Sequence, residues 1–294
     1  MISIHEDEAL FREAIRYTAA KTGMSEIMVE KDYFCSILLS YFQNAATPIV
    51  FKGGTSISKI YSDFYRMSED LDFAISTRTD AKRSERSNTI APFKNVIATL
   101  PSKISILNLE QKLTGYNAST QYIAYLIYNS IVGNSGRIKV EVALREEILT
   151  EPLMKKARTL IIDPFAGKPL VAEIEVMTMT FDEIYAEKFR AALTRREVAI
   201  RDFFDIYYAV SHSMLDYKAP DFINLVSKKL EVPGNQPIDV SGQRKNELKV
   251  QSVSQLRPVL RQADYELFDL DKAFDVVQSM ARFLEKKTNL HPAS

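Results

Sequence analysis

Two aspartates one residue apart, Asp70 and Asp72 in "DLDFAI", carry the chemistry this sequence supports best. Leu71, Phe73 and Ile75 alternate with Asp70, Asp72 and Ala74. A β-strand sends successive side chains to opposite faces, so both carboxylates fall on the face away from the core. They stand roughly 7 Å apart at a rise of about 3.3 Å per residue. That spacing suits one Mg²⁺ ion, which takes its remaining ligands from water and substrate phosphates. "RIKVEVALR" repeats the pattern, with Ile138, Val140, Val142 and Leu144 on one face and Lys139, Glu141 and Ala143 on the other. Glu141 is thereby a third carboxylate on the wet side of a strand, in a register suited to stand beside the pair. Three such groups can hold two ions, one activating an attacking oxygen and one stabilising a leaving pyrophosphate. An exposed strand face decorated with acids is the plain structural alternative. Strands are depleted in aspartate, however, and two here stand on one strand a short helix after a glycine turn.

That turn, "KGGTS", lies where a strand passes into a helix. Glycine permits positive φ and close backbone approach. The helix that follows presents free amides and partial positive charge to a phosphate, and Thr55 and Ser56 add hydroxyls. The lysine precedes the glycines and the loop is short, so neither a Walker loop nor a dinucleotide fingerprint fits. Lys52, Gly53, Gly54, Thr55 and Ser56 are the candidate nucleotide-binding residues. Arg66 and Ser68 join them, because both precede the aspartates closely enough to touch phosphate or brace the carboxylates. Ser68 reads equally as a turn former.

The elements that must position these residues follow from periodicity. Residues 6–43 predict two helices, the first with a glycine stop and the second with a serine cap. "PIVFKGG" is a short strand, "TSISKIYSDFYRM" opens a helix and "DLDFAIS" is a strand; helix returns from about Ser84 to Leu100. "KISILNLEQ", "TQYIAYLIYNS" and "RIKVEVALR" are strands, with turns expected at "TGYN" and "GNSG". A connection runs through Pro164 and "AGKP", and from Met177 the pattern is helical with a break at "EVPGNQPIDVSGQ". The expectation is an α+β front domain, 1–176, and a helical domain, 177–294.

Gly-Gly-Thr-Ser, then "SEDLDF" after one helix, then Glu141 on a later strand resembles the DNA polymerase β-type nucleotidyltransferase superfamily. "VEKDYF", "RMSEDLDF" and "EKFRAALTRREVAIRDFFDIYY" extend the resemblance to the AbiEii/MenT-like toxins, over about residues 25–210. The resemblance implies a mixed-sheet polymerase β-type core with N-terminal helices and a C-terminal helical domain. It implies Mg²⁺ at Asp70, Asp72 and Glu141, and a phosphate turn at Gly54 and Ser56, with Thr55 inserted between them. It further implies a triphosphate grip at Lys188 and an added acid at Asp202 or Asp205. The activity implied is transfer of a nucleoside monophosphate from an NTP to an RNA 3′ hydroxyl, with tRNA as the acceptor and a cognate antitoxin as partner. The same chemistry on a protein or small-molecule acceptor, and a non-catalytic scaffold that binds antitoxin or RNA, are the alternatives.

Lys188 and Asp202 lie 14 residues apart, about 21 Å along one straight helix. If both act on one nucleotide the helix must break, most simply around Thr194–Val198. Otherwise Arg201, Asp202 and Asp205 form surface ion pairs that stabilise little. In "VEKDYF", Lys31 and Asp32 read either as the solvated edge of a packing helix or as a brace behind the site or a base or ribose contact.

Composition bounds the rest. Hydrophobic residues make up 46% and charged residues 26%, an ordinary globular profile for 294 residues. With 38 basic and 38 acidic side chains, any nucleic-acid contact must come from a local patch. Cys35 is the only cysteine, which excludes internal disulfides and thiolate clusters. His5, His212 and His291 stand in no motif. The acidic start lacks a secretory pattern, no apolar run reaches membrane length, and the cytoplasm is the expected location. "RTDAKRSER", Lys155–Lys156, Arg195–Arg196 and Lys228–Lys229 are basic clusters that either face solvent or touch RNA.

Overall fold

A computed structural model of the chain describes residues 3–43 and 48–290, the side chains of 288–290 excepted. The chain divides into two compact units between Met179 and Thr180. The division falls three residues beyond the expected boundary because Ile174–Thr178 is a strand of the front sheet.

The first unit opens with helices α1 (Glu8–Thr22) and α2 (Glu26–Phe42). The Asp7 carboxylate accepts from the Leu10 amide to start α1, Gly23 at φ 73° stops it, and the Ser25 hydroxyl caps α2. Then follow β1 (Val50–Lys52), the short helix α3 (Gly53–Ser56) running into a wide turn at Ile57–Tyr61, β2 (Leu71–Ala74) and α4 (Arg83–Lys103). Strands β3 (Leu107–Tyr116), β4 (Gln121–Asn129), β5 (Ser135–Ala143), β6 (Leu153–Ala157) and β7 (Ile174–Thr178) complete it. One sheet of seven strands results, in the order β3-β4-β5-β2-β1-β7-β6. It is mixed: β2 runs parallel to β5 and β1 parallel to β7, and the other pairs are antiparallel.

Alternation decides which face is covered. Phe51, Phe73, Val140, Val142, Ala124 and Leu126 are buried, as are Phe34, Phe42 and Leu38 of α2 and Ile90, Phe93 and Ile97 of α4. Phe42 meets Phe73 at 5.8 Å and Phe93 at 5.1 Å between ring centroids, and Phe34 meets Tyr128 at 4.0 Å. Helices therefore cover that face, and the alternate residues Lys52, Asp72, Glu141 and Ile123 fall on the other.

Two expectations shift. The turn after β3 moves from "TGYN" to Asn117–Ser119, where all three residues have positive φ, and β3 continues through Gly115 because the Tyr122 ring packs against it. β6 and β7 arise in a stretch that reads as a connection. β6 is an edge strand with four of its five residues exposed, so it carries no apolar alternation to read.

The second unit is helical, as expected: α5 (Phe181–Thr194), α6 (Ile200–Ser211), α7 (Pro220–Leu230), α8 (Gly242–Gln251), α9 (Gln262–Leu267) and α10 (Leu270–Leu290). The break between α7 and α8 spans the expected Gly/Pro segment. Its core includes Phe189, Phe203, Phe204, Val226, Phe274 and Met280.

Candidate active site

Strand register builds the site. Lys52 lies opposite Asp72 across β1 and β2, and Asp72 opposite Glu141 across β2 and β5. Their neighbours Phe51, Phe73 and Val142 are buried on the other face, so the three polar side chains form one row. Asp70 stands at the next position on the same face, where Lys139 reaches it at 3.7 Å and Glu141 at 3.0 Å. Glu141 also accepts a 2.7 Å hydrogen bond from the Gln121 amide.

These contacts polarise the row. Burial first, and the Glu141 charge second, push the Asp72 carboxyl up to about 6. Burial opposes ionisation of Glu141 too, yet the Lys139 ammonium and the Gln121 amide hold it below the usual carboxylate range. Desolvation disfavours the Lys139 cation, but Glu141, Asp72 and Asp70 outweigh it and raise its pKa.

The glycine turn is fitted to this row. Gly53 has φ +76°, and a Cβ there would fall 2.6 Å from Asp72 Oδ2. Only glycine lets the backbone reach that carboxylate in that conformation. A Cβ on Gly54 would run into the Arg66 guanidinium and approach Ser68 Oγ at 2.8 Å. Arg66 is buried and donates to the Met67 carbonyl at 2.9 Å, and Ser58 donates to the Arg66 carbonyl at 2.8 Å. Turn, spacer and second strand are thus fastened together. The two hydroxyls point inward: Thr55 donates to the Asp70 carbonyl at 2.5 Å, and Ser56 is buried 2.9 Å from the Thr178 hydroxyl. Their polar contacts hold β1, β2 and β7 in place.

Among the described residues no three His, Cys, Asp or Glu side chains stand close enough together to ligate an ion as they are. The donor set nevertheless suits one. It consists of carboxylate oxygens, which match a hard divalent cation, and the Lys139 ammonium already sits as a cation between Asp70 and Glu141.

In the helical unit the break between α5 and α6 falls at 195–199 and turns the two helices toward each other. Lys188 Nζ lies 3.1 Å from Asp202 Oδ1 and 2.5 Å from Asp205 Oδ2. Asp205 is fully buried, whereas Asp202 also takes a 3.1 Å contact from Arg195. Side chains from α8 hold the break open. Arg244 donates to the Arg195 carbonyl at 2.8 Å, and Gln251 bridges the Val198 carbonyl and the Ile200 amide at 2.8 and 2.9 Å.

Other singled-out residues have structural partners. Asp32 is buried 2.6 Å from Lys59 Nζ and accepts from the Leu160 amide at 2.9 Å, while Lys31 reaches Glu69 at 3.4 Å. His5 hydrogen-bonds the Tyr33 hydroxyl at 2.8 Å, His212 stacks on Tyr208, and His291 lies outside the described residues. Lys229 is no surface charge: it is buried 2.7 Å from Glu183. Lys139, Gln121 and Lys59 carry no role in the sequence reading. The placement of Lys139 two residues before Glu141, on the same strand face, is a signal that could have found it.

No curated protein sequence matches the chain. The fold is similar to that of the nucleotidyltransferase toxin MenT4 of Mycobacterium tuberculosis H37Rv, with a TM-score of 0.64 at 16% identity. The match covers 93% of this chain and 92% of that one. The family model described as "Nucleotidyl transferase AbiEii toxin, Type IV TA system" matches residues 37–285, a span that contains the glycine turn, the carboxylate row and the Lys188 cluster. The chain belongs to the AbiEii nucleotidyltransferase toxin family of type IV toxin–antitoxin systems.

Proposed function

We propose that the protein transfers a nucleoside monophosphate from an NTP to the 3′ hydroxyl of an RNA, with tRNA the acceptor. The observation that carries this reading is the row Lys52–Asp72–Glu141 set against the Gly53–Gly54 turn, with Asp70 on the same face. Asp70, Asp72 and Glu141 would hold Mg²⁺, which when bound neutralises charge on the triphosphate and acidifies the attacking hydroxyl. The turn backbone, with Lys52 and Ser68 beside it, binds the phosphates, and the buried Arg66 braces the turn. Thr55 and Ser56 act by keeping the turn against the aspartate strand. Attack is in line at the α-phosphorus: a new P–O bond forms to the RNA, the bond to the β-phosphate oxygen breaks, and pyrophosphate leaves on the turn side. The hydroxyl proton passes to a carboxylate of the row. The family resemblance assigns Lys188 a triphosphate grip, and within the helical unit Asp205 and Asp202 hold its ammonium. A cytoplasmic site of action and a cognate antitoxin complete the reading; no helix among the described residues is long and apolar enough to cross a membrane.

Incubation with each labelled NTP, total RNA and Mg²⁺ tests this. Label is expected in RNA, is lost with EDTA, and falls at least about a hundredfold in Asp72→Asn, as expected when a charge-stabilising group is removed. Label in protein instead would overturn the acceptor, and full activity of Asp72→Asn would overturn the site.

A further inference from the structure

Beside the carboxylates, on the same face of the sheet, β4 and β5 carry a second constellation. The Arg137 guanidinium lies over the Tyr125 ring, 3.6 Å from its centroid, and its Nε donates to Glu110 at 2.6 Å. Arg137 reaches the ring from the diagonal position, since Tyr125 pairs with Lys139 and Ile127 with Arg137. One plane of the guanidinium is thus packed and anchored, while the side chain stays 55% exposed. Ile123, Tyr125 and Ile127 alternate with the buried Tyr122, Ala124, Leu126 and Tyr128. They form a half-exposed apolar stripe on the face that the core does not use. A face with only solvent to meet has no need of one.

Register joins this stripe to the site. Ile123 pairs with Glu141, Glu141 with Asp72 and Asp72 with Lys52, so the stripe continues the catalytic row outward across β5 and β4. Tyr125 stands two strands across and two residues along from Asp72, about 12 Å at the usual strand spacing and rise. In-line displacement puts attacking and leaving oxygens on opposite sides of phosphorus. With the leaving group held at the turn that follows β1, the acceptor approaches from the β5–β4 side.

We infer that the Arg137–Tyr125 stack seats a nucleobase of the acceptor strand near its 3′ end. This rests on the reading of the carboxylate row as the transfer site. A planar cation pre-stacked on an aromatic ring offers its outer plane to a base and its charge to the adjoining phosphate. Stacking of this kind tolerates any base, so the seat positions the strand without selecting its sequence.

Binding of a short single-stranded RNA with a free 3′ hydroxyl, followed by fluorescence anisotropy on the full chain without NTP, tests the seat. Arg137→Ala and Tyr125→Leu are expected to weaken binding about tenfold, with Tyr125→Phe close to wild type. Arg137→Lys keeps the charge and loses the plane, so it should weaken binding as well; wild-type affinity in that variant would overturn the stack. In the transfer assay Arg137→Ala should raise the acceptor KM and leave the NTP KM unmoved. Transfer with an unchanged acceptor KM in folded Arg137→Ala, checked by its melting curve, overturns the seat and leaves the transfer reading intact. RNA binding that depends on Arg137, in a wild-type protein that labels no RNA, keeps the seat and overturns the transfer reading. Unchanged RNA binding with altered self-association in Arg137→Ala assigns this face to a second copy and overturns the seat.

Discussion

Asp72 is pulled by neighbours of both signs. Lys52 and Glu141 flank it in register, and its own backbone strand leaves it half-buried against Gly53. A carboxyl raised to about 6 has two consequences. Mg²⁺ held there, as the proposed function requires, would displace a proton below that pH, so its apparent affinity should fall about tenfold per pH unit below 6 and level off above it. Calorimetry in buffers of different ionisation heat would register the released proton; a flat profile would remove Asp72 from the ligand set. The second consequence concerns folding. The folded pKa lies above the unfolded one of about 3.9, so the contribution of Asp72 to stability is full below pH 3.9 and is lost as pH rises through 6. Without metal at pH 7, Asp72→Asn should therefore melt at a higher temperature than wild type, while being inactive. Gly53→Ala should do the opposite. It forces a side chain into positive φ and against Asp72 Oδ2, costing about 1–3 kcal/mol and displacing the carboxylate. Melting together with NTP-binding calorimetry would register both losses. At this scale much of the site was legible: alternation in "DLDFAI" and "KVEVA" already put the carboxylates on one face. The inward turn of the Thr55 and Ser56 hydroxyls was not, because it depends on Asp70 and Thr178 as partners.

Among the elements, the break at 195–199 has the clearest origin. A straight helix would hold Lys188 and Asp202 about 21 Å apart; the kinked pair brings them to 3.1 Å. Residue spacing demanded a break only if Lys188 and Asp202 were to meet; Arg244 and Gln251, some fifty positions further on, hold it, and no local pattern announces them. The two acids differ in burial. Asp205→Ala leaves a poorly solvated lysine beside an empty site and should cost about 3 kcal/mol, whereas Asp202→Ala should cost about 1 kcal/mol. Urea unfolding monitored by circular dichroism gives the order, and an equal effect would contradict the geometry. Lys59 makes a similar case in the first unit. Its ammonium meets the Asp32 carboxylate, the Ser36 hydroxyl and the Arg158 carbonyl, so one buried cation ties α2, the wide turn after α3 and the chain beyond β6. Lys59→Met should destabilise by about 3–5 kcal/mol, read from the same unfolding curves.

The whole molecule carries no net charge, with 38 basic and 38 acidic residues. Net charge therefore supplies no attraction for RNA, and under the proposed function binding would rest on local contacts such as Arg137. About three phosphate contacts would give a log–log salt slope near −2, at roughly −0.7 per contact for single strands. A slope several times steeper would reveal a basic surface that this charge balance does not suggest. The fold was legible where a strand or helix has one apolar face and illegible where it has none. α1, β4 and β5 announce themselves through alternation or periodicity, whereas the edge strand β6 is exposed at four of five positions and silent. By itself, the sequence determined residue spacing and side-chain facing: three carboxylates on strand faces, glycines at a junction, and a lysine and an acid too far apart to meet on one straight helix. Only the tertiary structure decided who stands beside whom. It set Asp72 between Lys52 and Glu141, Lys139 between Asp70 and Glu141, and Arg137 over Tyr125. The physical reason is that facing is a local property of backbone dihedrals, whereas register between strands distant in the chain is chosen by the packing of Phe51, Phe73, Val142 and their neighbours on the buried face.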